Sequence, residues 1–185
     1  DQAAEHMVRA AQSVEAAGAD FLVLCTNTMH KTADEIEKGV SIPLLHIADA
    51  TAEKVKEYRL PKVGLLGTRF TMEDNFYKGR LIERHSLSVL VPGDAQRGIV
   101  HQVIYEELCL GEIRPASRQK FAEIMAGLVS QGAEAIILGC TEIGLLVGAD
   151  DCRVPVLDTT KIHAEAAVEW ALADEQRRNR QQLAE

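Results

Sequence analysis

The stretch FLVLCTNTMH, residues 21–30, decides the fold of this chain. Its first four residues are apolar and predict a short buried strand. Cys25 ends this run, and the small polar residues Thr26, Asn27 and Thr28 follow it as a turn that can cap the next helix. In open α/β sheets, ligands bind at the carboxyl ends of the parallel strands. The stretch therefore predicts a thiol at a ligand-binding edge of a sheet.

A second copy of this pattern, IILGCTE, occupies residues 136–142 and places Cys140 after another apolar run. The surrounding sequence is also duplicated, in segments 18–20 and 132–134 and in segments 42–45 and 154–157. Matches at separated places in the same order indicate two related lobes that face each other across a cleft. The alternative is that strand–helix units resemble one another because they use the same turn residues.

Strand and helix patterns alternate along the chain. Strands are predicted at residues 21–24, 42–47, 63–66, 87–91, 135–138 and 154–157, and helices at 3–17, 31–38, 52–58, 72–84, 95–110, 115–131, from 139–142 onward, and at 162–173. This alternation predicts an α/β fold with mostly parallel sheets and helices on both faces. Together with the duplication, it predicts two pseudo-symmetric lobes with the active site between them. Residues 1–60 are assigned to the first lobe and 61–158 to the second. Residues 159–185 are expected to form a helix and tail that return to the first lobe.

Composition excludes several classes of protein. The 185 residues are 46% hydrophobic and 26% charged, as in globular proteins, and the net charge of −8 argues against nucleic acid or an anionic membrane as a partner. No apolar run approaches the roughly 20 residues needed to cross a bilayer. The four cysteines are widely and irregularly spaced, without a CxxC pair, so neither a disulfide framework nor a zinc site is predicted. A reducing, cytoplasmic setting is the expectation.

Two thiols on opposite walls of a cleft suit the inversion of a carbon that carries an acidic hydrogen. One group removes the proton from one face, and its counterpart returns a proton to the other face. Cysteine is suitable because a pKa near 8.5 leaves both thiol and thiolate accessible near neutrality. The turn residues Thr26, Asn27, Thr28 and Thr141 would donate hydrogen bonds to a substrate carboxylate and to the charge that develops at the α-carbon.

The CTNT turn at 25–28 and the GCTE turn at 139–142 resemble the two sequence signatures of the aspartate/glutamate racemase family. The similarity extends over 44–51, 66–72, 106–111 and 156–165. This resemblance implies an amino-acid racemase that uses neither pyridoxal phosphate nor a metal, and it implies a homodimer. The proton-transfer residues would be Cys25 and Cys140, and the substrate-binding residues would be Thr26, Asn27, Thr28, Thr68, Thr71, Thr141, Glu142 and His163.

The sequence departs from the family pattern in two places. Relatives begin with a strand and a glycine-rich turn, whereas this sequence starts on a helical pattern, so either the sequence is a fragment or its first lobe lacks the N-terminal strand. Some aspartate-specific members also carry a basic residue after the long helix, where only Arg114 is a candidate here. A substrate range wider than aspartate and glutamate is therefore the expectation.

Each candidate residue also has a structural interpretation. A cysteine at a strand end is often a core residue, and Thr or Asn after a strand is often a cap. Glu142 could stabilise a helix start, and His163 could serve packing. At the level of function, the alternatives are a maleate isomerase or arylmalonate decarboxylase on the same scaffold, and a non-catalytic amino-acid-binding protein.

Overall fold

The computed structural model describes the backbone of residues 2–182 and the side chains of residues 2–173. Its strands, β1 to β6, are Leu22–Val23, Leu44–Leu45, Lys62–Gly67, Ser88–Leu90, Ala135–Gly139 and Val156–Asp158. Its α-helices, α1 to α8, are Gln2–Ala16, Ala33–Gly39, Ile47–Glu57, Arg69–Glu73, Asn75–Glu83, Asp94–Glu106, Pro115–Ser130 and Thr159–Gln182. All six predicted strands are present in the predicted order, because each apolar run is bounded by turn residues that act locally.

The strands form two sheets in which every pairing is parallel. Strands β1 and β2 make a two-stranded sheet, and the other four make a sheet of order β4-β3-β5-β6. Because β3 and β5 are neighbours, Gly67 and Gly139 are paired where both strands end. The predicted α/β class with parallel sheets is confirmed.

Three apolar clusters hold the layers together. Helices α6 and α7 pack on one face of the four-stranded sheet through residues such as Val103 and Phe121, and α3 and α5 pack on the other through residues such as Val55 and Leu81. A smaller cluster around Ile36 joins α1 and α2 to the two-stranded sheet. Burying each of these large side chains stabilises the fold by roughly 1.5–3 kcal/mol. Helix α3 follows β2 but covers the four-stranded sheet, so it links the two sheets.

Several helix boundaries differ from the predictions. Helix α3 begins at Ile47 rather than at residue 52, because the His46 side chain accepts a hydrogen bond from the Ala48 N–H and caps it. The helix predicted at 72–84 is two helices, since Asp74 has extended backbone angles (φ −76°, ψ 157°). Helix α8 begins at Thr159 rather than at residue 162.

The turns after the two predicted strand-end cysteines also differ from the predictions. The helix expected after 139–142 is only a 3-10 turn, Ile143–Leu145. After the CTNT turn, a 3-10 turn at Thr28–Thr32 precedes α2, and Asn27 makes no side-chain cap there. Both turns therefore lack the strong helix N-terminus that would have drawn negative charge to the site.

The predicted duplication is visible in the backbone of the β1–β2 and β5–β6 pairs. Gly18 and Gly132 precede the two first strands and both adopt left-handed angles (φ 90° and 97°). The Leu22 N–H donates to the Pro43 carbonyl at 2.8 Å, and the Ile136 N–H donates to the Pro155 carbonyl at 2.9 Å. The strand register is also the same, with Leu22 opposite Leu44 and Ile136 opposite Val156.

None of the helices within residues 2–182 combines the length and the apolar character needed to span a bilayer.

Candidate active site

The Cys140 thiol lies at the carboxyl end of β5, directly after Gly139, and Cys140 is only 9% exposed. Its Sγ–H donates a hydrogen bond to Oε2 of Glu142 at 2.9 Å. Burial, with the neighbouring Glu142 carboxylate, raises the pKa of Cys140 to about 12. The thiol is therefore protonated at neutral pH.

The Glu142 carboxylate is held by more than one donor. Burial acts to raise its pKa, but hydrogen bonds from the Cys140 thiol and the Thr141 side chain outweigh burial, so the pKa lies below its usual range. Glu142 is therefore a carboxylate at neutral pH. Cys140, Thr141 and Glu142 form a connected group at the end of β5.

Asn27 in the CTNT turn is connected by side chains to the strand that carries Cys140. Its Nδ2 donates to Oγ1 of Thr159 at 3.1 Å, and this hydroxyl donates to the Leu138 carbonyl at 2.8 Å. Asn27 is 3% exposed, and Thr159 is fully buried. Leu138 lies two residues before Cys140, so these bonds fix the first turn against the edge of the second sheet.

Thr28 provides a second connection between the CTNT turn and the four-stranded sheet. Its hydroxyl lies 3.3 Å from that of Thr68, which directly follows β3, and the Thr68 hydroxyl lies 3.3 Å from that of Thr71. Thr71 is fully buried, with its methyl group against the paired glycines at the ends of β3 and β5. Thr71 thus supports Thr68 from inside the protein.

The structure therefore brings most of the predicted site residues to one sheet edge. Asn27, Thr28, Thr68 and Thr71 are connected by the bonds described above, and Cys140, Thr141 and Glu142 lie at the end of the adjacent strand. Cys25 and Thr26 belong to the same turn as Asn27 and Thr28. The roles of these residues in binding or proton transfer stay predictions.

His163 lies in a buried group of histidines. Its Nε2–H donates to the Leu45 carbonyl at 2.8 Å, and its ring centroid is 6.0 Å from that of His30, which lies 4.3 Å from that of His46. Burial lowers the pKa of all three, to about 4 for His30 and about 2 for His46. These histidines are therefore neutral at pH 7, and each bonds to backbone; the predicted contact of His163 with substrate stays a prediction.

His30 holds the backbone of the CTNT turn. Its Nδ1–H donates to the Thr26 carbonyl at 2.6 Å, and its Nε2 accepts from the Ile47 N–H at 3.2 Å. Only a neutral imidazole can donate from one nitrogen and accept at the other. The first turn of α3 and the CTNT turn are thus joined through one ring.

Sequence reasoning missed His30 and Thr159 as residues that position the site. Thr159 lies 132 residues from Asn27, a distance that no local pattern reports. His30 lies four residues from Thr26, but its other contact, with the Ile47 N–H, is 17 residues away. A signal was available for Thr159, because the repeat places it opposite Ile47, the first residue of α3. The first residue of each of these helices is a contact point for the CTNT turn.

The register of the duplicated strands can be counted onward into the two turns that follow them. Counted from Gly18 and Gly132, Thr26 and Cys140 are both the eighth residue, and Cys25 and Gly139 are both the seventh. Cys25 is exposed, and its Sγ points back to the Val23 carbonyl of its own strand, 3.8 Å away. A count from the two glycines therefore pairs Thr26 with Cys140, whereas a match on the cysteines pairs Cys25 with Cys140.

The buried Oδ1 atom of Asn27 has no hydrogen-bond partner within the part of the chain that the structure describes. A buried acceptor without a donor costs about 1–3 kcal/mol. The cost is removed when a ligand N–H binds there, so Asn27 offers an acceptor next to the groups that could move a proton. Among residues 2–173, no three His, Cys, Asp or Glu side chains are grouped so that they could hold a metal ion.

Residues 1–167 match the family described as Asp/Glu/hydantoin racemase. The chain belongs to this racemase family. A racemase-family relative, the broad-specificity amino-acid racemase RacX of Bacillus subtilis, is 24% identical over 176 residues, which are 94% of this chain and 74% of RacX. The family assignment confirms the resemblance drawn from the two cysteine turns.

Solved structures of racemase-family proteins have the same fold. A crystal structure of a proposed Asp/Glu racemase from Yersinia pestis is 54% identical with a TM-score of 0.88, covering 91% of this chain and 74% of that one. An aspartate racemase homologue from Pyrococcus horikoshii is 34% identical with a TM-score of 0.81, with the same coverage. A glutamate racemase from Francisella tularensis, solved with D-glutamate, shares the fold at 16% identity and a TM-score of 0.72, covering 94% of this chain and 65% of that one. The predicted two-lobe α/β architecture is thereby confirmed, whereas the lobe boundaries at residues 60 and 158 stay a prediction.

Proposed function

We propose that this chain racemises amino acids by a cofactor-independent, two-base transfer of the α-proton. The observation that carries the proposal is the position of the protonated Cys140 thiol, at a sheet edge to which the CTNT turn is fixed by buried hydrogen bonds. The α-carbon would lie between the two, with Cys140 on one face and the CTNT turn on the other. Membership of the racemase family supports the same reaction.

The CTNT turn provides the contacts that an amino acid needs. The unpaired Oδ1 of Asn27 would accept a hydrogen bond from the substrate ammonium group. Thr26, Thr28 and Thr141 offer hydroxyl or backbone donors for the carboxylate, and Thr68 holds the Thr28 hydroxyl in place. Donors that are fixed before the reaction stabilise the charge that develops on the carboxylate as the α-carbon loses its proton.

Two residues of the CTNT turn are candidates for the second proton-transfer group. The sequence predicts Cys25, because a thiol matches Cys140 chemically. The duplicated backbone favours Thr26, because it occupies the position equivalent to Cys140. A hydroxyl releases its proton far less readily than a thiol. If Cys25 is the second group, the two proton-transfer groups have the same chemistry; if it is Thr26, they differ in acidity.

We propose aspartate, glutamate and other amino acids as the substrate range. The relatives have names that include broad-specificity, aspartate and glutamate racemases. Arg114, the candidate for a distal carboxylate, forms ion pairs with Glu112 and with Glu107, so its charge is already compensated. If Arg114 does not bind a distal carboxylate, substrate side chains of several kinds can be accommodated.

We also propose that the protein forms a homodimer in the cytoplasm. All four cysteines are free thiols, which suits a reducing compartment. Size-exclusion chromatography with light scattering measures the mass in solution against the 20.3 kDa of one chain.

The central experiment is exchange of the α-proton in deuterated water. We expect the purified protein to replace the α-proton of single L-amino acids with deuterium, measured by NMR, while the D-enantiomer accumulates on a chiral column. Replacing Cys140 by Ala should lower kcat/KM about 10²–10⁴-fold, since it removes one proton-transfer group. Cys152→Ala, at a partly buried thiol that packs against the main core, is the matched control and should keep the wild-type rate.

The same assay separates the two candidates for the second group. If Thr26 is the partner of Cys140, Thr26→Ala loses exchange and Cys25→Ala keeps it; the reverse result assigns the role to Cys25. Wild-type exchange in both single variants and in Cys140→Ala would refute the two-base proposal.

A further inference from the structure

The proton of Cys140 points to a carboxylate. The Sγ–H group donates to Oε2 of Glu142, and the Glu142 N–H also lies within hydrogen-bond reach of the sulfur. The Thr141 side chain donates to the same carboxylate, and Glu142 also bonds to its own backbone N–H. With these partners, the carboxylate is held beside the sulfur, and it is not free to serve as a ligand for a substrate ammonium group.

We propose that Glu142 is a positioning residue that keeps Cys140 protonated at rest and makes its sulfur a strong base once the proton has left. The proposal rests on the racemase function proposed above and changes the predicted role of Glu142 from substrate binding to control of the thiol. It follows from the 2.9 Å contact between the two side chains and from the burial of Cys140.

The physical reason is the cost of two adjacent negative charges. Loss of the thiol proton would place a thiolate beside the Glu142 carboxylate in a buried site, and like charges at this distance disfavour ionisation. Burial disfavours the thiolate as well, and the third titratable group that faces the sulfur, the Cys109 thiol, acts in the same direction. All three effects hold the proton on Cys140.

Such a thiol can donate a proton in one direction of racemisation and, as a thiolate, remove a proton in the other. In one direction the deprotonated second group, the sulfur of Cys25 or the hydroxyl oxygen of Thr26, takes the α-proton and forms an S–H or O–H bond, while the electron pair of the broken C–H bond stays on the carbon. The Cys140 Sγ–H bond then breaks, and its proton binds the opposite face of the carbon. The sulfur is left as a thiolate beside Glu142. In the reverse direction this thiolate removes the α-proton, and the same repulsion makes it a stronger base than an isolated thiolate. A strong base is needed because an amino-acid α-proton is a weak acid.

The proton on Cys140 also determines which enantiomer the resting protein deprotonates first. With Cys140 protonated, the resting protein first deprotonates the enantiomer whose α-hydrogen faces the CTNT turn. The counterpart of Glu142 in the duplicated backbone is Thr28, which has no charge, so only one side of the site is controlled in this way.

The test measures the thiol directly. Wild type and Glu142→Gln are alkylated with iodoacetamide between pH 6 and 11, and mass spectrometry of the peptide that contains Cys140 gives its rate at each pH. Below the midpoint the thiolate fraction rises tenfold per pH unit, so the displacement of the rate curve along the pH axis gives the shift in the midpoint. Because only the thiolate reacts, we expect the midpoint for Cys140 to fall by about one pH unit or more in Glu142→Gln. Glu142→Asp keeps the charge and should restore part of the shift. Glu106→Gln, at an exposed carboxylate on α6, is the matched control and should leave the midpoint unchanged.

Activity provides the second measurement. In Glu142→Gln the alkaline limb of the pH profile of kcat/KM should move to lower pH by the same amount as the alkylation midpoint, which a purely structural role would not cause. Circular dichroism and thermal unfolding establish that the variant is folded. An unchanged alkylation midpoint in folded Glu142→Gln overturns the inference, even when the wild type racemises. Absence of α-proton exchange by the wild type refutes the racemase function instead, so the two failures are distinguishable.

Discussion

The strand pairs β1–β2 and β5–β6 have the same backbone course, but the turns that follow β1 and β5 differ in chemistry. Each follows a left-handed glycine and a short parallel strand whose partner is entered through a proline. At equivalent positions, however, one turn has Thr26 and Thr28, and the other has Cys140 and Glu142. The two strand pairs therefore share their geometry, whereas the residues that follow β1 and β5 differ in acidity.

The caps of the helices that follow β2 and β6 differ in the same way. His46 caps α3 with its imidazole, whereas Asp158, at the equivalent position, accepts from the Thr160 N–H at 2.9 Å with a carboxylate. The first side of the molecule therefore depends on a neutral histidine, and the second side does not. This difference can be measured by following the free energy of unfolding as the pH falls.

The largest expected effect is a loss of stability between pH 6.5 and pH 4. In the unfolded chain His30 and His46 bind protons near pH 6.5, but in the folded protein burial lowers their pKa values to about 4 and about 2. Above pH 6.5 both histidines are neutral in the folded and the unfolded chain, so they do not affect stability. As the pH falls from 6.5 towards the pKa in the folded protein, each histidine lowers the free energy of unfolding by about 1.4 kcal/mol per pH unit. Urea unfolding at a series of pH values measures the slope.

The variant His46→Asn assigns part of this slope to the α3 cap. Asparagine is a good helix cap that does not titrate, so the acid slope should fall by about 1.4 kcal/mol per pH unit while α3 remains capped. A slope identical to that of the wild type would show that the acid sensitivity arises elsewhere.

A smaller effect is expected where the two sides are joined. Thr159→Val leaves the Nδ2 group of Asn27 and the Leu138 carbonyl without their buried partner, and we expect a loss of about 2–3 kcal/mol in the free energy of unfolding. Thr159→Ser keeps the hydroxyl and is the matched control. If Val were tolerated as well as Ser, the connection between the turns would be unimportant for stability.

The smallest effect is expected from a substitution at Gly139. This residue lies seven positions after Gly132, as Cys25 lies seven positions after Gly18. A Cβ on Gly139 would lie 3.0 Å from the Leu66 carbonyl oxygen and 3.1 Å from Cγ2 of Thr71, so Gly139→Ala should cost about 1–3 kcal/mol. Gly127, in α7, has open space around it, and Gly127→Ala should be neutral or slightly stabilising. Thermal unfolding of both variants tests whether the neighbours of Gly139 leave no room for a side chain; equal melting temperatures would contradict this.

The strands and most helices could be predicted from the sequence because their signals are local. Apolar runs such as that in β5 end at glycine or proline, and Gly18 and Gly132 stop the preceding helices where the pattern indicates. The boundaries that were wrong depend on side chains that act as caps, as His46 does for α3, and such a cap has no effect on the apolar periodicity.

The candidate site was only partly predictable, for a geometric reason. The residue types at the two strand ends were identified, and the family assignment follows from them. Aligning the two halves on their cysteines gives Cys25 as the partner of Cys140, whereas aligning them on their left-handed glycines gives Thr26. A shift of one residue in such an alignment changes which side chain faces the partner. The contacts of Asn27 with Thr159 and of Thr28 with Thr68 join distant parts of the chain, so they required coordinates.

The imidazole of His30 has a consequence for how this protein could evolve. The main chain at Thr26 is fixed by its own N–H, which donates to the Leu24 carbonyl at 2.8 Å, and by the His30 ring at its carbonyl. Neither bond involves the Thr26 side chain. A single codon change can therefore place a serine there, and two changes a cysteine, without breaking either backbone bond, so the acidity of this position can change while its main chain stays fixed.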